Sequence, residues 1–538
     1  MKLKLSWLCA SAVLFLVGCG GQNDAGTAKL SGQVSAVSTP TSLSHYAASR
    51  FLEQSAMGPS PASVAQVKAQ GMSAWIASQM SMTPTKILTP ASMQNYDDQL
   101  DKPAGERMRD FYYLNLYSTL IGGEDQLRIK TMWTLSNFLV ISTRKVAEFG
   151  ALEFFNMLQT HAFGQYGDLL KSLTRNPAMG SYLDNGQNTK WQLNENYGRE
   201  LMQLFSVGLV QLNLDGTPKR DSSGKILETY SQKDVIEITR ALTGWNFVPN
   251  PTTLNTNRNW ANYDKPMIGD SNRHDNGSKS FLGKTIPAGQ TVEKDLDSIV
   301  DILVTHPNTA PFVSLRLIQG MTTSDPSPAY LQRVATVFRD TNGNLNKVIT
   351  AILMDPEARA GDVYGKSTAN FGRIKEPLLI YTSGFRGLGC KVAVRLTNRP
   401  NEVVSSGNQT PFNAYSVFNF YPPNHRTQGT NVLAPEQKML NSMEFNSRMS
   451  FFNWAFQNEA TLNDAGCDVA PFKVAQSISD EKLMDLMSER YFRGTLSPSI
   501  GKSLIDAHKN YWNRNQGLSL AGSILDMAAV TPAFGVSK

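Results

Sequence analysis

The stretch that most constrains what this chain can fold into is residues 194–209, NENYGRELMQLFSVGL, where two stripes interleave at helical spacing. Tyr197, Leu201, Leu204 and Phe205 fall at i, i+4, i+7 and i+8, which on a 3.6-residue helix is one core-facing band. Asn196, Arg199, Glu200 and Gln203 fall at i, i+3, i+4 and i+7, with Glu195 one turn before Arg199, so amides, a guanidinium and carboxylates share the other face. A wet face of this kind is a solvated helix surface; an enclosed one is an ion-pair network or a site, because unpaired charge is costly away from water.

Helical spacing recurs along the chain. Residues 44–80 read as two short helices, the first broken at Gly58-Pro59 and the second opened by Ser60-Pro61. Residues 125–146 read as one long helix with Leu127, Met132, Leu135, Phe138 and Leu139 inward, flanked by Arg128 with Lys130 and by Arg144 with Lys145. Spans 151–163 and 167–174 follow, and Asn176-Pro177 stops them, since the residue before proline disfavours helical torsions. Ser231 with Asp234 three residues on forms a capping box for a helix whose stripe is Val235, Ile238, Thr239 and Leu242, with Gly244 closing it. The pattern returns at 292–304, 309–319, 329–339, 345–354, 378–388, 436–456, 480–491 and 500–527. Three stretches break it. Residues 213–229 are polar with turn signals at Asp215-Gly216 and Ser223-Gly224, as in a small hairpin. Residues 249–289 have little periodicity but hold Trp260, Tyr263 and the pair His274-Asp275. Residues 409–424, QTPFNAYSVFNFYPPN, are too dense in aromatics and proline for a linker. The fold expected is mainly α: one large multi-helix domain over 42–538 with long irregular aromatic loops and one small β-hairpin.

At 538 residues and 41% hydrophobic, the chain has apolar content for a large core, and a net charge of +6 without a long Lys/Arg run argues against a nucleic-acid partner. Residues 1–18 read as a lipoprotein signal peptide: Lys2 and Lys4 form the positive end, 5–17 the apolar run, and Leu16-Val17-Gly18-Cys19 matches a lipobox. The expectation is cleavage before Cys19 and lipidation of that cysteine. The run is too short to span the roughly 20 residues of a bilayer, so the membrane is engaged through the lipid. Gly20 after the cysteine points to the outer membrane, and 19–41 reads as a flexible tether. Cys390 and Cys467 then remain in an oxidising compartment, which favours a disulfide between them over two separately buried thiols.

Serine-hydrolase elbows, HExxH, a Walker-type phosphate loop and a dinucleotide GxGxxG turn are absent. What survives is a set of carboxylates and histidines: Glu195, Glu200, Asp234, Glu237, His274, Asp275 and His306. As an enzyme, the chain would use Glu195 or Glu200 as base, Arg199 to hold an anionic group, and His274 as acid or metal ligand, with Asp275 the second ligand to a divalent metal. Asp234 is more simply a helix cap, and His306, before Pro307, more simply satisfies backbone groups at a helix end.

Several motifs in order carry a resemblance. Asn194-Glu195-Asn196-Tyr197-Gly198-Arg199-Glu200-Leu201-Met202, Ala241-Leu242-Thr243-Gly244-Trp245, His274-Asp275 with Phe281-Leu282-Gly283, His306-Pro307 through Arg316-Leu317, and Lys375-Glu376-Pro377 resemble the successive signatures of the bacterial domain-of-unknown-function 1800 family, over about residues 45–443 and with 444–538 as a helical extension. Gly198 departs from the family's usual alanine, a change that lowers helix propensity by about 1 kcal/mol. The resemblance implies an exported bacterial protein, whose genes often neighbour those of a second exported family, domain of unknown function 1501, similar to sulfatases and phosphatases. It implies no reaction. The rival to an enzyme is therefore a binding or assembly protein beside such a partner, with the same charges acting as structural cross-links.

Overall fold

Helix boundaries follow local chemistry. The computed structural model describes residues 43–87, 104–248, 263–393, 395–396, 399–403, 409–456, 459–512 and 517–538; the signal segment, Cys19, the tether and Trp260 lie outside them. Helices α1 (His45–Ser55), α2 (Pro61–Gln70) and α3 (Met72–Ser81) open the body, three where two were expected, because Gly71 at φ +81° ends one and begins the next. After α4 (Ala104–Gly122), α5 (Gln126–Ser136) stops ten residues short of its expected end. Beyond it the backbone bonds elsewhere: Thr143 N–H donates to Phe412 O at 2.7 Å, and Ser142 pairs with Asn413, so the aromatic segment takes up groups that a longer helix would have used. Helices α6 (Glu148–His161), α7 (Tyr166–Arg175) and α8 (Pro177–Tyr182) follow. Asn176 both stops α7 and caps α8 by accepting from Ala178 and Met179 N–H.

Helix α9 (Asn196–Gln203) is the organising helix of the sequence, and α10 (Gln232–Ala241) carries the Ser231/Asp234 capping box as expected. Between them, Val210 pairs with Glu228, Leu212 with Pro218 and Arg220 with Ile226, with Gly216 and Gly224 at positive φ in the turns. The chain continues through α11 (Val292–Thr305), α12 (Thr309–Met321), α13 (Pro328–Asp340), α14 (Leu345–Met354), α15 (Pro356–Ala360) and α16 (Pro377–Gly387). It ends with α17 (Ser442–Phe456), α18 (Glu459–Asp464), α19 (Ala470–Ile478), α20 (Asp480–Tyr491), α21 (Pro498–Trp512), α22 (Gly517–Ala529) and α23 (Pro532–Gly535). Strands are brief antiparallel pairs: β1 (Trp245–Asn246) with β2 (Ile268–Gly269), β3 (Lys279–Phe281) with β4 (Lys284–Ile286), β5 (Arg373–Ile374) with β8 (Val536–Ser537), and β6 (Arg395–Leu396) with β7 (Arg399–Val403). The fold is mainly α. Among the described residues no helix is long and apolar enough to cross a membrane.

One apolar core runs from α1 to α23, yet the centre also holds charge. Arg373 and Lys375 precede α16, and Glu376 sits at its N-cap. Arg373 Nη2 lies 3.1 Å from both Glu376 Oε1 and Glu436 Oε1. Glu376 also accepts from Trp133 Nε1 at 3.0 Å, Tyr421 OH at 3.1 Å and Gln409. Lys375 reaches back to Glu53 of α1 at 2.8 Å, and Glu53 also takes Arg493 at 2.7 Å. Burial pushes the Glu376 carboxyl up, but Arg373 and its hydrogen bonds outweigh that and hold it below the usual range. Lys130, fully buried on α5, has no hydrogen-bond partner among the described residues, and burial with Arg373 nearby pulls its amine down to about 7. Breaking such a network strands the remaining charge in the core. Glu376→Ala should therefore lower unfolding free energy by about 3–5 kcal/mol in chemical denaturation, while Lys502→Ala, in an exposed pair with Asp506, should leave the transition where it is.

Candidate functional site

The two stripes of α9 are real, and they meet different surroundings. Tyr197, Leu201 and Phe205 are buried and Leu204 partly so. Tyr197 OH lies 2.7 Å from Thr174 Oγ1, and Tyr166 OH donates to Phe205 O at 2.6 Å. Gly198 lets α9 lie against α10: a Cβ there would sit 2.7 Å from Thr239 Oγ1 and 3.3 Å from Ile238 Cγ2. The glycine that departs from the expected alanine is thus a close-contact residue, a role the sequence alone does not show.

On the polar side the side chains are half-buried or exposed, and they are networked. Arg199 Nη2 lies 2.7 Å from Glu195 Oε2, and Gln232 of α10 closes a triangle, donating to Glu195 Oε2 at 2.9 Å and accepting from Arg199 at 3.1 Å. Asn196 donates to Asp184 Oδ2 at 3.0 Å, and Lys145 pairs with Asp184 Oδ1 at 2.6 Å. Asp184 holds a left-handed φ of +60°, a conformation that costs a non-glycine residue energy and that these two donors reinforce. Glu200 differs from its neighbours. It is half-buried, and its Oε2 is buried without a hydrogen-bond partner among the described residues. Burial pushes its carboxyl above the usual carboxylate range against the opposing pull of Arg199. Tyr182 and Tyr230 stand in its field, and burial pushes each phenol up to about 12.

His274 does not join this group, which corrects the expected constellation. It is 1% exposed, with Nδ1 2.7 Å from Thr243 O and Nε2 3.2 Å from Asp295 Oδ2. Lys279 Nζ lies 2.6 Å from the same Asp295 oxygen, and both partners are fully buried. A carbonyl only accepts, so Nδ1 carries the proton and the ring cross-links the segment after α10 to α11. Asp275 is clasped by Arg240, Nε to Oδ2 at 2.9 Å and Nη2 to Oδ1 at 3.2 Å, while Arg240 Nη1 also holds Glu237 at 2.9 Å. Burial raises the Asp275 carboxyl, but the Arg240 contact outweighs it and holds it below its usual range. A metal at His274 and Asp275 would face the Arg240 guanidinium and the Lys279 ammonium, so these donors do not fit one. Among the described residues no group of three His, Cys, Asp or Glu side chains is arranged to hold a metal ion.

The remaining candidates serve structure. Asp234 caps α10 through Oδ2, and its Oδ1 accepts from Leu282 N–H at 2.8 Å. His306 Nδ1 accepts from Asn308 N–H at 3.2 Å at the end of α11. Cys390 and Cys467 are joined as a disulfide. Sequence reasoning missed Asp295, which lies against His274, Lys279, which pairs with that Asp295, and Lys130, which it placed on a flanking turn; helical periodicity carries no signal for which charged side chain is swallowed by a neighbour. The family model described as "Protein of unknown function (DUF1800)" matches residues 50–536, so the match takes in the C-terminal helices that motif spacing left outside. No curated protein and no solved structure matches the chain.

The contact at Gly198 gives a signed prediction. Helix propensity alone says that Gly198→Ala stabilises by about 1 kcal/mol, whereas overpacking against Thr239, pinned by its bond to Val235 O at 2.7 Å, costs about 1–3 kcal/mol. The variant should be the less stable protein. A higher melting temperature would show that α10 yields to the added methyl.

Proposed function

The chain belongs to the DUF1800 family, and from that premise we propose that it is a lipid-anchored bacterial cell-envelope protein with a hydrolytic acid–base site on α9. In this reading Glu200 donates its proton to the leaving group of a polar substrate as a water molecule attacks and supplies the hydroxyl, the proton released from that water restores the acid, and Arg199 holds an anionic part of the substrate. The anchor is supported by the lipobox ending at Cys19, and by the Cys390–Cys467 disulfide, which suits an oxidising compartment. The single observation that carries the chemistry is Glu200: a half-buried carboxyl, raised by burial, with one oxygen that finds no hydrogen-bond partner among the described residues. An acid that keeps its proton closer to neutrality is what leaving-group protonation needs. Glu195, by contrast, is fixed by Arg199 and Gln232 and serves to orient the guanidinium.

A second reading of the same surface is partner binding. Trp191 is 71% and Leu209 56% exposed, on either side of α9 in the chain. Large apolar side chains left in water next to charge are a feature of association surfaces. The exported partner suggested by family resemblance, a domain of unknown function 1501 protein, would bind here.

The test separates chemistry from scaffolding. With its folded pKa raised, Glu200 contributes stability that is present below the unfolded value and lost as pH rises through the folded value. Glu200→Gln, which mimics the protonated form, should therefore melt no lower than the parent at pH 7.5, with any gain shrinking towards about pH 4. The same variant should fail to complement a deletion strain. Full complementation by Glu200→Gln, or melting several degrees lower, sinks the acid role; loss of partner co-purification with Trp191→Glu instead would favour association. For the anchor, Cys19→Ser should move the protein from the detergent phase to the aqueous phase in phase partitioning.

A further inference from the structure

A cavity of about 400 Å³ opens between the start of α2, the end of α4 and the segments around the disulfide. It lies within the range of about 300–1,000 Å³ typical of small-molecule sites. Arg386, on α16, lines it and is only 5% exposed. Its Nε donates to Gly58 O at 2.7 Å and its Nη1 to Ile121 O. Both acceptors are neutral carbonyls, and Nη2 has no protein acceptor among the described residues. The other buried arginines, Arg50, Arg128, Arg373 and Arg448, each lie within 3.5 Å of a carboxylate. Arg386 has none among the described residues, and burial alone pulls its pKa down to about 9. A buried guanidinium bearing charge without a counter-ion is the costly case in a protein interior, and this one borders empty space.

The cavity's other features have the matching sign at depth and a mixed sign at the mouth. The first turn of α2, Ser60 to Ser63, lines the wall with the positive end of a ten-residue helix. At the mouth stand three exposed charges, Lys391, Glu124 and Asp468, none held in an ion pair among the described residues. Lys391 follows Cys390 and Asp468 follows Cys467, so the disulfide fixes two of the three rim charges. Lys391 N–H to Ala465 O at 2.9 Å and Asp468 N–H to Leu388 O at 2.8 Å hold the same two segments.

We propose that this cavity binds a small zwitterion of the amino-acid or short-peptide class, its carboxylate seated on Arg386 and its ammonium at Glu124 and Asp468. A bare anion would leave the two rim carboxylates repelling it, and a cation would meet Arg386; only a ligand carrying both charges, carboxylate inward, satisfies the floor and the mouth together. This site is independent of the reading given for α9.

Titration calorimetry on the full chain in detergent tests it, with glycylglycine and acetate as probes. Glycylglycine should bind more tightly than acetate. Arg386→Met should weaken it by about tenfold or more, and the double change Glu124→Gln with Asp468→Asn should weaken glycylglycine while strengthening acetate, which the rim carboxylates no longer repel. Reducing the disulfide should weaken glycylglycine too. Should Arg386→Met fail to fold, the rim variant alone decides, because its side chains are exposed. No glycylglycine binding, equal binding of acetate, or indifference of glycylglycine to the rim variant would each overturn the proposal.

Discussion

The interaction on which the rest depends is the buried ion-pair line through Arg373, Lys375 and Glu376. Three charges within four residues enter the interior; Arg373 pairs with Glu376 three residues on and with the distant Glu436, and Lys375 with the distant Glu53. Because Glu53 belongs to the first helix and Arg493 to the turn that follows α20, one chain of contacts ties both ends of the fold to its middle. The β5–β8 pair adds a backbone link between the same regions. A network of this kind gives less stability than an apolar core of equal volume would. What it does supply is a demand for one arrangement, since any other leaves a charge unmatched.

That demand separates scaffolding from sites. Where a carboxylate is held on both oxygens, as Asp275 is by Arg240, the residues are occupied with one another. Where matching is incomplete, something else is needed. Glu200 keeps a carboxylate oxygen without a donor, and Arg386 keeps a guanidinium without a carboxylate. Lys130 is another, as are Glu153 and Asp295 with one oxygen each, but Lys130 lies in the core beside the ion-pair line, and its amine near neutrality spares the interior a second full positive charge next to Arg373.

Glycine decides how closely the elements that carry these groups approach. At Gly198 the absence of a side chain brings α9 onto α10, and that contact places Gln232 where it can bridge Glu195 and Arg199. At Gly244, φ of +95° and the nearness of Asp270 O and His274 Cβ leave no room for a side chain. The turn there seats His274 against Thr243 and directs it into the protein, away from the polar face of α9.

Many of the helices, the starts at Ser60 and Ser231, the stop at Asn176, the hairpin turns and the pairing of Cys390 with Cys467 were legible in the residues themselves, because each rests on neighbours in the chain or on a compartment-wide rule. So were the two stripes of α9. Helices α4 and α19 were missed, and the span 500–527 is divided between α21 and α22. Early termination of α5 was not legible, since Phe412 and Asn413 compete for its backbone from some 270 residues away. The fate of His274 was not legible either: the sequence places it beside Asp275, while the structure gives it Asp295 and gives Asp275 to Arg240. Periodicity reports which face of a helix is apolar; which charged residue is buried, and against what, depends on which segments meet, and only the packed chain decides that.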